Sequence, residues 1–250
     1  MLTYFFSKRS RLTYAPQNAK IVGMNVYAIS DLHLSINNPK PMDIFGAVWD
    51  NYLGDIEKSL GVVGADDLIL LAGDLSWAMT LENAVPDLDY IGSFPGKKII
   101  TRGNHDYWWK SISAVRGALP PTVYAIQNDC VKIGDVIVCG SRGWSIDDNS
   151  EDGKRLYARE LIRIEMSLSA MQKLREEGDR VVFMIHYPPY NVKFEDSPVT
   201  ELFEKYKVDA VVYGHLHGKN CYGKKTHFKN GVKYFLTSCD QVANTAVKIL

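Results

Sequence analysis

Five short apolar runs, each followed by polar side chains of the kinds that bind metals, constrain this chain more than any other feature of its sequence. The runs span residues 26–30, 68–72, 98–101, 181–185 and 210–213, and most are rich in Val and Ile. Runs of this length and composition predict strands that are buried on both faces, as in parallel α/β sheets. Sites in such sheets form where the carboxyl ends of the strands meet. The sequence therefore predicts one shared polar crater.

The polar residues after the runs form the ordered patterns D-x-H, GD, GNHD, H and GHxH. They are Asp31 and His33, then Asp74, then Asn104, His105 and Asp106, then His186, and finally His215 and His217. Side chains alternate in extended backbone, so D-x-H and H-x-H each place two ligands on one side. Each pattern alone is a modest signal, because Gly-Asp often marks a turn and a single buried His is often a hydrogen-bonded core residue. Five such coincidences at the same structural position indicate a site.

The residue types suit two divalent ions about 3.5–4 Å apart, which need mixed oxygen and nitrogen ligands. We expect one ion to be held by Asp31, His33 and His217, and the other by Asn104, His186 and His215. Asp74 is expected to bridge the ions, because a carboxylate offers two oxygens. His105 then remains beside the ions, where general acid catalysis needs a proton donor. Asp106 is expected to fix its tautomer and orientation.

This ordered set of motifs resembles the calcineurin-like metallophosphoesterase superfamily over about residues 24–217. The resemblance implies an α/β fold, a two-sheet β sandwich flanked by helices, with a dinuclear metal site at the carboxyl ends of the strands. It implies the same seven ligands and makes His105 the catalytic histidine. It also implies Mn, Fe, Zn, Co or Ni as the two ions, with Mn favoured, and hydrolysis by a metal-bridging hydroxide. Motifs of this kind in a compact chain look closer to the small bacterial phosphodiesterases than to the large eukaryotic protein phosphatases.

The substrate is less constrained than the chemistry. We expect a small phosphorylated molecule, either a phosphodiester or a phosphomonoester, while a protein phosphatase stays open. Arg102 and Arg142 are candidate substrate-binding residues, because a guanidinium can clamp phosphate oxygens bidentately. A surface ion pair is the alternative for both.

Two other functions are less favoured, one because of the composition and one because of the ligand set. The chain has 29 basic and 29 acidic residues and no formal net charge, so it gives no strong signal for nucleic-acid binding. A nuclease of the same superfamily is therefore the less favoured alternative. A catalytically inactive scaffold is also disfavoured, because such a protein would be expected to lack some ligands, and here all seven are present.

Domain organisation and location complete the expectations. We expect residues 1–23 to be a poorly packed extension, with Met24 a possible true start and a docked amphipathic arm as the alternative. Residues 24–250 are expected to form a single domain. No apolar stretch reaches the ~18 residues that a membrane span needs. The four cysteines lack paired spacing, so we expect free thiols and a cytoplasmic protein. The oligomeric state is open.

Periodicity also predicts the elements between the runs. Helical spacing of apolar residues favours helices over residues 42–60, 81–94, 107–119, 154–177 and 199–206. The fourth of these is the longest, and Pro86 suggests a late start or a break in the second. Short strands are expected over residues 123–126, 130–133, 136–139 and 233–237.

Overall fold

The fold is built on two mixed β sheets, described by a computed structural model that covers residues 23–37, 39–219, 221 and 223–250. The first sheet has the strand order β11-β1-β2-β3-β4. Its strands are β1 (Val26–Ala28), β2 (Leu68–Leu71), β3 (Lys97–Ile100), β4 (Val123–Ala125) and β11 (Val247–Lys248). β1 to β4 pair in parallel, and β11 pairs antiparallel with β1.

The second sheet has the order β5-β6-β7-β8-β10-β9. It contains β5 (Asp129–Ile133), β6 (Val136–Ser141), β7 (Arg180–Ile185), β8 (Ala210–Tyr213), β9 (Thr226–Lys229) and β10 (Val232–Leu236). The four central strands are parallel, and both edge strands are antiparallel. The runs that the sequence predicts to be buried thus lie in the parallel parts of the two sheets. Within each sheet, the carboxyl ends of these strands lie on the same side.

In the described part of the chain, five α helices cover the outer faces of the sheets. They are α1 (Tyr52–Leu60), α2 (Leu81–Ser93), α3 (Ile112–Ala118), α4 (Glu151–Leu174) and α5 (Pro198–Lys205). One apolar cluster joins the first three helices to the first sheet, and a second joins α4 and α5 to the second sheet. A third cluster fills the space between the sheets, where residues such as Leu70, Ile99, Val138 and Met184 are fully buried. The expected α/β sandwich of two sheets flanked by helices is confirmed.

The predicted helix over residues 42–60 is wrong in its first half. Two short 3-10 turns, Asp43–Phe45 and Ala47–Trp49, precede α1, which begins only at Tyr52. Gly46 separates the turns with φ of 119°, and Asn51 has φ of 50°, so neither residue can continue an α helix. The second turn buries Trp49 against the core, while Ile44 and Phe45 of the first turn are exposed.

The other predicted elements differ mainly at their ends. α2 runs through Pro86 without a break, and Ser111 caps α3 four residues after the expected start of that helix. The strands β4, β5, β6 and β10 are confirmed to within two residues. β9 and β11 were not expected from the sequence. Both are short edge strands, which carry weak periodicity.

Two expectations concern the ends of the chain and the membrane. Residues 1–22 of the expected extension lie outside the described residues. Across the part that is described, no helix combines the length and the apolar character needed to cross a bilayer.

Candidate metal centre

Four of the predicted ligands lie on left-handed backbone just after their strands. The φ angles are 59° at Asp31, 47° at His33, 52° at Asp74 and 71° at His215. Residues other than glycine seldom adopt this conformation, and it costs about 1–3 kcal/mol at each position. Such outliers cluster at functional sites, because the sharp turn sends the side chain back across the end of the sheet. The strain therefore marks the same strand ends that the motifs mark.

Asp31, His33 and His217 form the first group of candidate ligands. One potential ligand atom from each of the three lies within 4.8 Å of those of the other two. His217 Nε2 is 3.3 Å from Asp31 Oδ1, and the His33 and His217 ring centroids are 5.3 Å apart. Asp31 is fully buried and His33 is 4% exposed, while the His217 side chain is 29% exposed. It brings together the three residues that the sequence assigns to the first ion.

Asn104, His186 and His215 converge on a second point. The Asn104 Oδ1 atom lies 2.7 Å from His186 Nε2 and 2.8 Å from His215 Nδ1. His186 is completely buried, and its Nε2 atom is also 3.4 Å from Asp74 Oδ2. These are the three residues assigned to the second ion. Asp31, Asp74 and His186 also offer ligand atoms within 4.8 Å of one another, so the two groups adjoin.

Asp74 lies between the two groups. Its Oδ2 atom is 3.4 Å from His186 Nε2 on one side and 3.9 Å from His33 Nε2 on the other. Its Oδ1 atom accepts a hydrogen bond from the backbone N–H of His105 at 2.8 Å. The carboxylate is therefore fixed, with one oxygen directed into the space between histidines of both groups.

Two of the imidazoles are held by partners outside the ligand set. His186 Nδ1 is 2.9 Å from the carbonyl oxygen of Ala72, and His217 Nδ1 is 2.8 Å from Asp240 Oδ1. These acceptors favour the tautomer in which Nδ1 carries the proton, so Nε2 faces the crater with a free lone pair. His217 Nε2 is buried and has no hydrogen-bond partner. An orphan nitrogen of this kind is what a metal ligand presents.

Sequence reasoning missed Asp240. The rule used for the ligands could have found it. Asp240 follows the buried strand β10 and comes shortly after the polar residues Thr237 and Ser238. The expected motif set ends at His217, before this sixth strand end.

Two glycines of the motifs are explained by the carboxylates. A Cβ atom on Gly103 would overlap the Asp74 carboxylate and its backbone nitrogen, and one on Gly214 would overlap the Asp31 carboxylate. Both glycines thus allow a strand end to pass directly against an acidic ligand. The G in GNHD and in GHxH is required here by close approach of the backbone.

The carboxylates concentrate negative potential in the crater. Burial opposes charge on Asp31, but the charge and hydrogen bond of His217 and the charge of His186 together outweigh it and lower the pKa of Asp31. Burial likewise opposes charge on His186, yet Asp74 raises the pKa of His186 to about 9. For His217, Asp31 and Asp240 overcome burial and raise the pKa to about 10. A field that favours imidazolium this strongly also favours divalent cations.

His33 and His215 show the opposite shift. Burial lowers the pKa of His33 to about 4, and burial together with the charge of His186 lowers the pKa of His215 to about 4. Both imidazoles therefore stay neutral at physiological pH and keep a lone pair for coordination.

His105 lies beside the two groups. Its ring is 5.6 Å from that of His33, and its Nδ1 atom is buried without a hydrogen-bond partner. The expectation that Asp106 orients this ring is corrected by the structure. Asp106 is fully buried and accepts hydrogen bonds from the backbone nitrogens of Asp74, Leu75, Ser76 and Gly103 and from Trp108 Nε1.

Asp106 is therefore a positioning residue for the backbone around the ligands. Burial and the charge of Asp74 raise the pKa of Asp106 to about 6, and the backbone hydrogen bonds oppose this rise. A single carboxylate between two adjacent loops joins the Asp74 turn to the Gly103 turn. Its short side chain is committed to these donors and makes no hydrogen bond with the imidazole of His105.

The two candidate substrate-binding arginines flank the second group. Arg142 follows β6, and its carbonyl oxygen accepts hydrogen bonds from the backbone N–H groups of His186 and Tyr187, both at 3.1 Å. Its guanidinium lies 5.0 Å from the Trp144 ring centroid. Burial lowers the pKa of Arg142, and the charge of Arg102 contributes to this effect. Arg102 Nε is buried without a hydrogen-bond partner. The backbone of Arg142 is thus paired with that of His186, and Arg102 lies two residues before Asn104 in the chain.

The donor set fits divalent transition-metal ions. It consists of four imidazoles, two carboxylates and one amide oxygen, in two groups that share the Asp74 carboxylate. Such mixed nitrogen and oxygen sites are typical of Mn, Fe, Co, Ni and Zn. The orphan Nε2 of His217, set by Asp240, agrees with this reading.

Comparison with known proteins bears on the family and the fold. The family model described as calcineurin-like phosphoesterase matches residues 24–219. The phosphopantetheinyl hydrolase of Mycobacterium tuberculosis is a structural neighbour with a TM-score of 0.51 and 15% identity, over 90% of this chain and 95% of that one. The protein AQ665 of Aquifex aeolicus has a TM-score of 0.49 and 16% identity, over 90% and 96%. No curated protein matches the sequence significantly.

Proposed function

The chain belongs to the calcineurin-like phosphoesterase family, and we propose that it hydrolyses a phosphodiester or phosphomonoester with two divalent metal ions. The seven proposed ligands are Asp31, His33, Asp74, Asn104, His186, His215 and His217. Manganese is the favoured ion. The proposed substrate is a small phosphorylated molecule.

The observation that carries this proposal is the position of Asp74. Its Oδ2 atom lies within 4 Å of Nε2 atoms of both His33 and His186, which belong to different ligand groups. A carboxylate so placed can bind an ion on each side. Two-metal sites with ions about 3.5–4 Å apart act on phosphate esters by stabilising both the attacking and the leaving oxygens.

The divalent ions, when bound, would supply Lewis acidity toward the phosphoryl oxygens and promote deprotonation of the attacking water. The chain's own residues would do the rest. Arg102 and Arg142 would hold phosphoryl oxygens through their guanidinium N–H groups. His105, which is outside both ligand groups, would donate a proton to the leaving oxygen as the P–O bond breaks. Asp240 and Ala72 hold His217 and His186 in the required tautomers.

The test is the metal content and turnover of Asp74→Ala. We expect the wild-type protein to bind two ions per chain and to hydrolyse p-nitrophenyl phosphate, bis-p-nitrophenyl phosphate or both after refilling with Mn²⁺. Asp74→Ala should lose turnover and retain fewer than two ions by elemental analysis. Retention of two ions by the variant would contradict the bridging role.

Asp67→Ala is the matched control. Asp67 is a buried carboxylate at the opposite end of β2, where it accepts hydrogen bonds from Asn25 and Gly64. This variant should be less stable than the wild-type protein but keep two ions. Cleavage of a DNA oligonucleotide at a rate above that of the small diester would favour the nuclease alternative.

A further inference from the structure

The surroundings of His105 are aromatic. The His105 ring centroid is 4.7 Å from that of Trp77 and 6.1 Å from that of Tyr107. Trp77 also stacks on His33 at 4.7 Å with an interplanar angle of 23°. One half-buried indole thus touches both a candidate metal ligand and the candidate proton donor.

Apolar side chains close to Trp77 and His105 in the chain are exposed. Met79, two residues after Trp77, is 60% exposed, and Tyr107 is 43% exposed. Met42 Sδ accepts a hydrogen bond from Trp77 Nε1 at 3.4 Å. Met42 directly precedes the 3-10 turn that carries Ile44 and Phe45, which are 72% and 62% exposed. Exposed apolar groups near a polar cleft are typical of a ligand-binding surface.

A cation also contacts Trp77. The ammonium of Lys40 is 3.4 Å from the Trp77 ring centroid, and the Lys40 backbone is held by hydrogen bonds with the Ser35 hydroxyl. Because Lys40 is exposed, its flexible side chain can move aside for a flat group that packs on the edge of the indole.

We propose that Trp77, Met79, Tyr107, Ile44 and Phe45 form a leaving-group subsite that binds an aromatic ring on the alcohol released from the phosphate ester. The inference rests on the proposed function, since it takes His105 to face the leaving oxygen. In that reaction the P–O bond to the alcohol breaks, water supplies the new oxygen on phosphorus, and the proton of His105 passes to the alcohol. The ring of that alcohol then lies next to His105.

The experiment compares leaving groups of similar acidity but different size. Dimethyl phosphate is paired with dibenzyl phosphate, and methyl phosphate with benzyl phosphate, using the Mn²⁺-loaded full-length protein. We expect kcat/KM to be at least about tenfold higher for the benzyl ester of whichever pair is hydrolysed, because burying one ring removes on the order of 100 Å² of apolar surface from water. Equal kcat/KM values would overturn the proposal.

Variants locate the effect. Tyr107→Ala and Phe45→Ala should each lower the ratio of benzyl to methyl kcat/KM by about threefold or more. Phe228→Ala is the control, because Phe228 is also exposed but lies on the edge strand β9. The ratio is used because any loss of metal or of His105 function affects both esters alike. An unchanged ratio in both site variants would contradict the subsite.

A binding measurement separates this proposal from the proposed function. Benzylphosphonate and methylphosphonate cannot be hydrolysed, so calorimetry on the Mn²⁺-loaded protein reports the subsite even if neither ester turns over. We expect the benzyl compound to bind at least about tenfold more tightly and Tyr107→Ala to reduce that preference. Equal affinities would overturn the subsite, and a preference without turnover would instead count against the proposed hydrolysis.

Discussion

Replacement of Asp240 gives the sharpest test of how the crater holds its ions. Asp240 Oδ1 accepts the Nδ1–H proton of His217 at 2.8 Å, and Oδ2 accepts hydrogen bonds from the Gly218 backbone and from Gln241 Nε2 at 2.8 and 2.9 Å. The side chain is only 4% exposed. The carboxylate therefore fixes both the tautomer of His217 and the loop that carries it.

The Asp240→Asn variant changes that tautomer with little change in shape. The amide oxygen can still accept a hydrogen bond from Gly218, which turns the amide NH₂ toward His217 Nδ1. That nitrogen must then accept, so the proton moves to Nε2, the atom that faces Asp31 at 3.3 Å. Loss of such an outer partner typically weakens metal binding 10- to 100-fold, which corresponds to about 1.4–2.8 kcal/mol.

Stepwise Mn²⁺ titration by calorimetry or by competition with a chelator measures this loss. We expect the affinity of one site to fall about 10- to 100-fold, while the site that includes Asn104, His186 and His215 changes by less than about threefold. The control is Asp196→Asn, because the Asp196 carboxylate is 57% exposed and pairs only with Lys229 in the described part of the chain. Affinities within twofold of wild type at both sites would refute the reasoning.

Three further predictions concern His105, Gly214 and Lys98. His105→Ala should keep both ions but lose about 10²–10⁴-fold in rate on alkyl esters and less on p-nitrophenyl esters, whose leaving group needs little protonation; equal losses would assign His105 to substrate positioning. Gly214→Ala should bind fewer ions and unfold at a lower temperature, because its Cβ would overlap the Asp31 carboxylate; unchanged metal content would contradict this. Lys98→Met should lower Tm by about 6–12 °C. Lys98 is fully buried, and its Nζ donates to the carbonyls of Gly92, Phe94 and Gly96. Loss of these three hydrogen bonds costs about 3 kcal/mol. Lys97→Met is the control.

The parallel strands and their polar ends could be predicted from the sequence because each is a local pattern. A buried strand needs only a short run of Val, Ile and Leu, and its carboxyl end then has a fixed place in the fold. The seven ligand types follow from coordination chemistry. Their grouping follows from which strand ends are neighbours, and β1, β2 and β3 are neighbours in the first sheet.

What could not be predicted depends on long-range contacts. The segment 42–49 has helical spacing, yet Gly46 and Asn51 turn the backbone away, and its 3-10 turns bury Trp49 while Ile44 and Phe45 stay exposed. Asp106 lies next to His105 in the sequence, but its partners come from backbone around residue 74. Asp240 is 23 residues from His217 and becomes its partner only when the loop after β10 folds back across the crater.

The role of Asp106 explains how a strained crater can be stable. Asp31, His33, Asp74 and His215 each occupy left-handed backbone at a cost of about 1–3 kcal/mol. Two buried carboxylates offset this cost with backbone hydrogen bonds: Asp106 accepts from Asp74 and Gly103, and Asp31 accepts from His215. Hydrogen bonds to charged groups contribute about 1.5–3 kcal/mol each, so the two terms are of similar size. Metal binding then adds to a turn geometry that is already set. Asp106, the last residue of the GNHD motif, holds the backbone of the turns that carry the ligands.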